Sequence, residues 1–506
     1  MDILFVNLGK ENLGIEYLSA VLRQNGFITE LANDPGLFSR HDNVLHIPSL
    51  ARFFSRKEKI LEKIYKKKPP VVAFSVYTQT YGWALDIAEK IKSVLEVVII
   101  FGGIHATLVP AEVMKNRFID FVIQGEGEYA LLALMQNLRR GLPKGHIPGL
   151  WWREQGSVRH NPPVLIDDLD ALPLPDRALF EPEVCLHADY MILASRGCPL
   201  SCAYCWESYA KKLYGAQHYR RRSVPAVIQE LMIMKKRYAY RTVMFFDDVL
   251  FTDSDWLRKL LDEYKKCIAV PFRCFGHVQY FTRQIGCLLK DAGCYGIDFG
   301  VQTLNERIRR KMLNRHETNV QINTAFSICD DVGLHYDVDF LFGIPGIDEK
   351  DYVEVLTFMK QRKYLNRLKC YNLTLYPNMP FAKNCLRQSM MSAPDQQALL
   401  TGKIGDWYHE FFETDVVRMR QKKLFQKLFK LYGMLPCSAR RFLVSPRMYR
   451  LFRFVPNSVV IILQLCDGMR KQDHRFTLQI KYYLFHIRRW VARGSARAIA
   501  MFQRPR

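Results

Sequence analysis

Three cysteines in one short stretch are the residues of this chain most able to do chemistry. Cys198, Cys202 and Cys205 stand in the pattern C-x3-C-x2-C. The apolar run at residues 191–194 predicts a buried strand just before them, and a glycine and a proline flanking the first cysteine break regular structure. The cysteines therefore belong to a loop at the strand's end, where three soft thiolates can hold an iron–sulfur cluster or zinc.

The number of ligands favours the cluster over zinc. Structural zinc is usually held by four ligands in two paired knuckles, and the chain contains no second C-x2-C. A 4Fe–4S cluster held by three cysteines leaves one iron open for a substrate or a cofactor. The plainer alternative is three unrelated buried cysteines, which is disfavoured because this spacing directly after a strand is far from random.

This motif, with the aromatic residue Tyr204 before the third cysteine, resembles the signature of the radical S-adenosylmethionine (radical SAM) enzymes. The resemblance implies that the open iron chelates the amino and carboxylate groups of SAM. An electron from the cluster would then split SAM into methionine and a 5′-deoxyadenosyl radical. The electron implies a reducing partner such as flavodoxin or ferredoxin.

The composition is that of a large globular protein with free thiols. A chain of 506 residues allows two or three domains, and 49% hydrophobic with 24% charged residues fits a sizeable core. Thirteen cysteines without regular pairing indicate a cytoplasmic setting. The N-terminus is too short and too acidic for a signal peptide, and without an apolar run of about 18 residues no spanning helix is expected.

Positive charge is concentrated at the end of the chain. Residues 416–506 contain 21 Lys and Arg but only two acids, which amounts to +19 of the net charge of +23. The first 415 residues are close to neutral, so the basic character belongs to the tail and not to the rest of the chain.

Strands alternating with helices in residues 1–148 predict a parallel sheet in a Rossmann-like domain. Such sheets bind ligands at the carboxyl ends of their strands. Ser75 and Tyr77 end the second predicted strand, and Gly102 and Gly103 end the third. Paired glycines let a bulky ligand approach the backbone closely, although a lone Gly-Gly is more often a simple tight turn.

Ser75, followed 27 residues later by Gly102-Gly103, resembles the cobalamin-binding pattern of Rossmann-like corrinoid domains. The stretches Phe101–Thr107 and Gly125–Glu128 resemble the amino-terminal domain of cobalamin-dependent radical SAM proteins. The Asp-x-His-x-x-Gly motif that supplies a lower histidine ligand to cobalt is absent, so no such ligand is expected. His105 is expected in a loop near the corrin edge. The resemblance implies a cobalamin site formed by Ser75, Tyr77, Gly102, Gly103, His105, Gly125 and Glu126.

Residues 149–185, rich in Pro and Asp, predict a linker with a two-stranded piece at Leu150–Arg159. Strand–helix alternation returns in residues 186–385, where six units predict a partial (β/α)6 barrel with its active site at the carboxyl ends of the strands. The strands are expected at Met191–Ser195, Thr242–Asp247, Arg273–Gly276, Gly296–Gly300, Tyr336–Phe342 and Cys370–Leu375.

Polar side chains and glycines follow several of these strands. A carboxylate after the second barrel strand could accept hydrogen bonds from the ammonium group of SAM, and each residue taken alone could instead be a helix cap or part of a tight turn. The resemblance to the radical SAM enzymes implies a SAM site formed by Tyr204, Asp247, Asp248, Asp298, Gln302, Gly343 and Pro345.

Residues 386–506 predict a helical, basic C-terminal region. Gln397–Phe429 predicts a helix with an aromatic core at Trp407–Phe412, and residues 422–430 interleave lysine with Leu and Phe, which is typical of a basic amphipathic helix. Three interpretations stay open: contact of residues 416–506 with an anionic membrane, packing on the barrel with a solvated basic face, and RNA binding. Nucleic acid is the least expected partner because no RNA-binding module is recognisable.

Together the resemblances imply a cobalamin-dependent radical SAM enzyme that methylates an unactivated carbon of a small or lipid-like substrate, using methylcobalamin as the methyl donor. A radical SAM cyclase or oxidase of a porphyrin-like substrate is one alternative, and an RNA-modifying radical SAM enzyme is another. A non-catalytic corrinoid carrier is disfavoured by the intact cysteine triad. The expected location is the cytoplasm, at the inner face of the membrane if the basic tail binds lipid.

Overall fold

Two largely parallel β-sheets dominate the architecture, one in each half of the chain. The computed structural model describes residues 1–42, 45–403, 416–470 and 478–491. The strands of the first sheet are β1 (Ile3–Leu8), β2 (Thr29–Asp34), β3 (Val71–Ser75), β4 (Val98–Gly102), β5 (Phe121–Ile123), β6 (Leu150–Glu154) and β7 (Ser157–His160). The helices of this half are α1 (Leu13–Gln24), α2 (Pro48–Phe54), α3 (Lys57–Lys67), α4 (Thr78–Lys92), α5 (Ile104–Leu108), α6 (Pro110–Val113) and α7 (Glu128–Arg140).

The first sheet has the strand order β2-β1-β3-β4-β5-β6-β7. Its first five strands are parallel, which confirms the Rossmann-like fold. Successive connections switch direction between β1 and β3, and ligands of such sheets bind at the carboxyl ends of the strands beside this point. β5 then pairs antiparallel with the β6–β7 hairpin, so the two-stranded piece expected at Leu150–Arg159 extends this sheet.

β2 is a strand that the sequence analysis did not anticipate. Its residues, Thr-Glu-Leu-Ala-Asn-Asp, contain no apolar run. The strand lies at the edge of the sheet and pairs only with β1, from Ile3 opposite Thr29 to Leu8 opposite Asp34. Because an edge strand has one neighbour instead of two, it needs less apolar sequence than a central strand and gives a weaker signal.

The second sheet confirms the expected partial barrel. Six parallel strands are ordered β15-β14-β13-β12-β11-β8, and β9 and β10 form a separate antiparallel pair. The strands are β8 (Tyr190–Ile192), β9 (Ser195–Arg196), β10 (Arg220–Arg221), β11 (Val243–Phe245), β12 (Phe272–Gly276), β13 (Cys294–Gln302), β14 (Tyr336–Phe342) and β15 (Leu365–Asn372). The helices are α8 (Trp206–Tyr214), α9 (Val224–Tyr238), α10 (Ser254–Cys267), α11 (Arg283–Asp291), α12 (Glu306–Lys311), α13 (Asn319–Val332), α14 (Glu349–Met359), α15 (Pro380–Arg387) and α16 (Ala393–Leu400).

A shared apolar core joins the two halves. One face of the first sheet contributes Val72 and Phe101, and the segment after β15 contributes Leu375, Met379 and Phe381 to the same buried cluster. Burial of each such side chain stabilises the folded state by about 1.5–3 kcal/mol. The chain after the last barrel strand therefore folds back onto the first domain and holds it against the barrel.

A buried arginine fixes the linker between the halves. Arg177 is 1% exposed, and its guanidinium lies 2.7 Å from Glu11 and 2.8 Å from Glu16, at the start of α1. The same group donates hydrogen bonds to the Tyr190 hydroxyl, at 3.2 Å, and to the Met191 carbonyl of β8. One side chain therefore connects the first domain, the linker and the first barrel strand.

The C-terminal region is helical wherever the structure describes it. Its helices are α17 (Val416–Tyr432), α18 (Cys437–Arg440), α19 (Pro446–Leu451), α20 (Asn457–Arg470) and α21 (478–491). The single helix expected over Gln397–Phe429 is wrong at its start, because α16 ends at Leu400 and residues 401–403 form a turn. Residues 404–415, with the expected aromatic core Trp407–Phe412, lie outside the described residues. Within the described ranges, no single helix has both the length and the hydropathy needed to cross a bilayer.

The apolar face of α17 packs on the barrel. Phe425, Leu428 and Phe429 are fully buried, and the Phe429 ring lies 5.4 Å from the ring of Phe340 in β14. Of the interpretations offered for residues 422–430, packing on the barrel with a basic outer face is confirmed. The membrane interpretation is wrong for this helix because its apolar face is already occupied.

Candidate active site

A cavity of about 340 Å³ lies between the first sheet and the mouth of the barrel. The first domain contributes the carboxyl ends of β3 and β4 and the loop before α7, and the barrel contributes the loops after β9 and β11. The cavity thus brings together Ser75, Gly102, Gly103, Gly125 and Glu126 with Gly197, Trp206, Glu207, Phe246 and Asp248. Five of the seven residues predicted for cobalamin line it.

The part of the cavity on the first domain is shaped for a bulky ligand. Apolar side chains of the first sheet, α1 and α7 line its depth, among them Phe5, Ile100 and Leu131. A Cβ at Gly103, where φ is +88°, would lie 2.7 Å from the Val76 nitrogen, so only glycine fits there. A Cβ at Gly102 would meet nothing closer than 3.7 Å. The space that a side chain at position 102 would fill is therefore open to a ligand in the cavity.

The loop with the three cysteines is held at both ends. Asp247 accepts a hydrogen bond from the Ala194 amide at 3.1 Å and another from the Ser195 hydroxyl. Gly197 has φ of +85°, and a Cβ there would overlap the His218 carbonyl. At the other end, Cys205 is the N-cap residue of α8. The motif residues therefore stand on a fixed loop that leads directly into a helix N-terminus.

The three thiols are largely removed from water. Cys198 and Cys202 are buried, and Cys205 is half-buried. Burial, and next the charge of Asp248, raises the pKa of Cys198 to about 12 and that of Cys205 well above its usual range. Such thiols stay protonated at neutral pH unless a cation replaces the proton, and iron does so when it binds. The donor set is that of iron–sulfur ligation.

Each cysteine of a 4Fe–4S cluster binds a different iron atom, so the three sulfur atoms need not converge on one point. Within the part of the chain that the structure describes, no three His, Cys, Asp or Glu side chains are arranged to hold a metal ion.

Arg315 is a site residue that the sequence analysis missed. Its guanidinium lies 3.7 Å from the Cys202 sulfur, 3.3 Å from the Tyr204 hydroxyl, 2.7 Å from Glu317 and 2.8 Å from the His277 Nε2. A cation at this place favours the thiolate that binds iron. Arg315 is 113 residues from Cys202 in the chain and belongs to no motif, so only the fold brings them together.

The two adjacent aspartates predicted for SAM have different environments. Asp247 accepts hydrogen bonds from the cysteine loop and does not line the cavity, so its carboxylate has a structural role, and its assignment to SAM stays a prediction. Asp248 lines the cavity, and burial together with the charge of Asp247 raises its pKa to about 7. Glu207, which the sequence analysis missed, lines the same wall, and burial followed by the charge of Asp248 raises its pKa to about 8.

The other residues predicted for SAM lie at several places in the barrel. Asp298 is buried within β13, where it pairs with Lys369 at 3.0 Å and Arg273 at 3.6 Å. Its carboxylate is therefore neutralised inside the barrel, in the middle of the strand. Gln302 ends β13 with φ of +70°, Tyr204 contacts Arg315, and Gly343 and Pro345 form the turn after β14.

Two residues predicted for cobalamin do not line the cavity. His105 was expected in a loop at the corrin edge, but it lies in α5 and is fully buried. Its Nδ1 is 3.0 Å from the Thr78 hydroxyl, its ring packs 4.1 Å from that of Tyr81, and burial lowers its pKa to about 3. This expectation is wrong because the chain after Gly103 turns at once into a helix. Tyr77 is half-exposed and precedes α4.

Glu126 connects the two walls of the cavity. It accepts hydrogen bonds from Arg220 at 2.6 and 2.9 Å and from Arg196 at 3.3 Å, both on the short β9–β10 pair next to the cysteines. Burial alone would raise the pKa of Glu126, but the two arginines hold it below its usual range. Its backbone amide also donates to the Tyr214 hydroxyl at the end of α8, at 3.1 Å.

Two family models match separate parts of the chain. The B12 binding domain matches residues 9–135, and the Radical SAM superfamily matches residues 192–359. The first range contains the cavity glycines of the first domain, and the second contains the cysteine triad and the barrel strands β11 to β14.

The chain is a radical SAM enzyme with a B12 binding domain. Its cofactors are a 4Fe–4S cluster, S-adenosylmethionine and cobalamin. The residues described above fit these groups: the enzyme offers two buried thiols and one half-buried thiol for the cluster, with Arg315 beside Cys202, and an apolar cavity lined by glycines for the corrinoid.

Known proteins align with more than two thirds of this chain. An uncharacterized methyltransferase of Pyrococcus horikoshii is 28% identical over 359 residues, or 69% of this chain and 73% of the relative. Cytidylyl-2-hydroxyethylphosphonate methyltransferase of Streptomyces wedmorensis is 22% identical and covers 78% of this chain and 81% of its own length. The cobalamin-dependent SAM radical enzyme OxsB, solved with aqua-cobalamin and SAM, has the same fold. Its structure superposes with a TM-score of 0.67 and 13% sequence identity, and the match covers 100% of this chain and 81% of OxsB.

Filling the cavity at Gly102 is expected to weaken corrinoid binding in this enzyme without unfolding it. In Gly102→Val the new side chain enters the ligand's space, and overpacking of this kind costs about 1–3 kcal/mol, or roughly 10- to 100-fold in affinity. Corrinoid retained after desalting, read by absorbance, measures the effect. Ser157→Val, on the exposed strand β7, is the matched control. Unchanged binding by Gly102→Val would show that the corrinoid lies elsewhere.

Proposed function

We propose that this enzyme methylates an unactivated carbon of a small or lipid-like substrate. The proposal rests on the residues that line one cavity, because they come from both domains. Its first wall contains the glycines and Ser75 of the corrinoid-type sheet, and its second wall contains Gly197 and Trp206, which flank the cysteine triad in sequence. A methyl-carrying corrinoid held at the first wall and a cluster held by the cysteines that adjoin the second wall would both reach a single substrate carbon.

When bound, the cofactors would supply the chemistry: SAM and the reduced cluster would provide a radical able to abstract a hydrogen atom from carbon, and methylcobalamin would provide the methyl group. The chain's own residues position these groups. Trp206 and Phe246 give the barrel wall apolar surface that excludes water from a reactive carbon, and the ion pairs of Glu126 with Arg196 and Arg220 fix the separation of the walls.

The two relatives named as methyltransferases support transfer of a methyl group, since both align over about 70% or more of this chain. The lipid-like substrate is inferred from Trp206 and Phe246, the apolar side chains of the barrel wall, since the apolar lining on the first domain is proposed for the corrinoid. A cyclase or oxidase would use the same radical chemistry without consuming the methyl group, so product analysis separates the two.

The decisive experiment uses anaerobically purified, iron- and cobalamin-loaded enzyme with SAM that carries a deuterated methyl group. Small-molecule and lipid extracts serve as substrate pools, and mass spectrometry follows the label. Deuterated methyl groups in a product, together with 5′-deoxyadenosine, support the methyltransferase. Formation of 5′-deoxyadenosine with hydrogen loss from a product that gains no label would instead identify a cyclase or oxidase. Labelled RNA would identify the RNA-modifying alternative.

Asp248 is proposed to accept hydrogen bonds from the ammonium group of SAM, since its carboxylate lines the cavity close to the cysteine loop. In Asp248→Asn the charge is lost at constant shape. A charged hydrogen bond contributes about 1.5–3 kcal/mol, so the KM for SAM should rise roughly 10- to 100-fold with an unchanged unfolding midpoint. SAM-dependent 5′-deoxyadenosine formation measures this.

Asp247, the residue before Asp248, is expected to affect stability and not the binding of SAM. Asp247→Asn weakens the hydrogen bonds that hold Ala194 and Ser195, and buried groups left unpaired cost about 1–3 kcal/mol. We therefore expect a lower unfolding midpoint and a smaller yield of bound cluster. Equal effects of the two substitutions on KM and on stability would contradict the separate roles.

A further inference from the structure

One face of α20 is apolar and exposed. Val459, Ile462, Leu463 and Met469 follow helical spacing, so they form a single stripe along the helix. Their exposed fractions are 39%, 56%, 45% and 62%. The opposite side of the helix, with Val460 and Gly468 buried, packs against the protein. In a helix on the surface of a globular protein the apolar stripe normally faces the core, so this arrangement is reversed.

The apolar surface continues beyond α20. Phe442, Leu451 and Phe454, in the short helical turns before it, are 67%, 55% and 70% exposed. The segment Pro446–Phe454 meets α20 at an angle of 104°. Scattered exposed apolar residues are normal, but contiguous ones mark an interaction site. The two segments together form a bent apolar surface, here called the 441–470 surface.

Positive charge surrounds this surface. Arg441, Arg447, Arg453 and Arg470 are exposed along it, and the one acid of residues 416–470, Asp467, pairs with Arg470 at 2.9 Å. Apolar side chains bordered by arginine match the interface of an anionic bilayer, where acyl chains lie beneath phosphate groups. Single-stranded bases bind by stacking on aromatic rings, but the stripe of α20 is aliphatic and the surface has only two strongly exposed aromatic side chains, Phe442 and Phe454, so it suits acyl chains better than bases.

We propose that the 441–470 surface docks the protein on an anionic membrane, with α19 and α20 lying in the lipid interface. The sequence pointed to α17 for this contact, but the structure buries the apolar face of α17 and exposes that of its neighbour α20. This proposal does not depend on the reaction that the enzyme catalyses.

Sedimentation of the purified full-length protein with vesicles tests it, using phosphatidylglycerol–phosphatidylcholine vesicles beside vesicles of phosphatidylcholine alone. The protein should pellet with the anionic vesicles, and Phe454→Glu/Ile462→Glu should reduce the partition at least tenfold. Both positions are exposed, so the unfolding midpoint should not change. Met232→Glu/Val320→Glu is the matched control: it makes the same change at two exposed sites, on α9 and α13, and should pellet like the wild type.

The charge contribution is tested separately. Arg441→Gln/Arg447→Gln/Arg453→Gln should weaken anionic-vesicle binding several-fold and flatten its dependence on salt, whereas Lys212→Gln/Lys236→Gln/Lys259→Gln should not. The proposal is overturned if the wild type does not pellet with anionic vesicles, if it binds neutral vesicles equally well, or if the Glu variant pellets unchanged. It is also overturned if the Glu variant instead abolishes a dimer or the binding of RNA while vesicle binding is absent.

Discussion

Cys202→Ala is expected to abolish the iron–sulfur cluster and reduce cleavage of SAM to the background rate. The wild-type enzyme, reconstituted without oxygen, should hold about four iron atoms per chain, and the variant should hold less than one. Cys202 is buried and its sulfur lies beside Arg315, so its loss removes an iron ligand that no neighbouring group can replace. Iron and sulfide analysis, with 5′-deoxyadenosine measured by chromatography, gives both readouts.

The control for this substitution is Cys287→Ala, since Cys287 is exposed and lies on α11, outside the motif. It should keep full iron content and activity. A Cys202→Ala protein that retained the cluster and its charge-transfer absorbance would contradict the assignment of the triad. Stoichiometric zinc in the wild type, with no iron after reconstitution, would contradict it equally.

Arg177→Ala is expected to destabilise the protein by about 3–5 kcal/mol, because removing one partner of a buried ion pair leaves the other charge uncompensated. Glu16 is fully buried, and burial already raises its pKa well above the usual range although Arg177 opposes this. The substitution also removes hydrogen bonds to Tyr190 and Met191. The midpoint of urea unfolding, measured with an unchanged slope, reports the loss.

Arg23→Ala is the matched control for Arg177. Arg23 lies on α1 and pairs with Asp176 at 3.2 Å, but its side chain is 54% exposed. Exposed ion pairs contribute at most about 1 kcal/mol, so this variant should unfold close to the wild-type midpoint. Equal losses in the two variants would show that burial of Arg177 is not what makes its ion pairs important.

The local pattern of apolar, polar and cysteine residues was sufficient to predict much of the fold and the cysteine motif at the centre of the site. The cysteine triad is a contiguous motif, and β14 was predicted from Tyr336 to Phe342 as it is observed. β15 was expected at Cys370–Leu375 but spans Leu365–Asn372, because its first five residues, Leu-Asn-Arg-Leu-Lys, include three polar side chains and form no apolar run. Apolar runs reveal central strands, whereas mixed strands such as β15 and edge strands such as β2 give little signal.

Contacts between distant residues could not be predicted. Asp247 and Asp248 are chemically identical in the sequence, and only the position of Ser195 decides that one of them is structural. His105 looked like a ligand-edge residue because it follows a glycine pair, yet its neighbours Thr78 and Tyr81 hold it in the core. Arg315 reaches Cys202 through tertiary structure alone. Each of these roles depends on a partner that local sequence does not specify.

The connections of Glu126 have a consequence for how the enzyme acquires its cofactors. The loop that lines the corrinoid cavity is joined by ion pairs to the strands next to the cysteines, and by Tyr214 to the helix that follows them. Ordering one loop therefore lowers the entropy cost of ordering the other. Thermodynamic linkage requires the effect to be equal in both directions: prior assembly of the cluster should strengthen corrinoid uptake by the same factor as corrinoid strengthens cluster retention. We therefore expect the two centres to mature cooperatively, and loss of iron to weaken the retention of corrinoid.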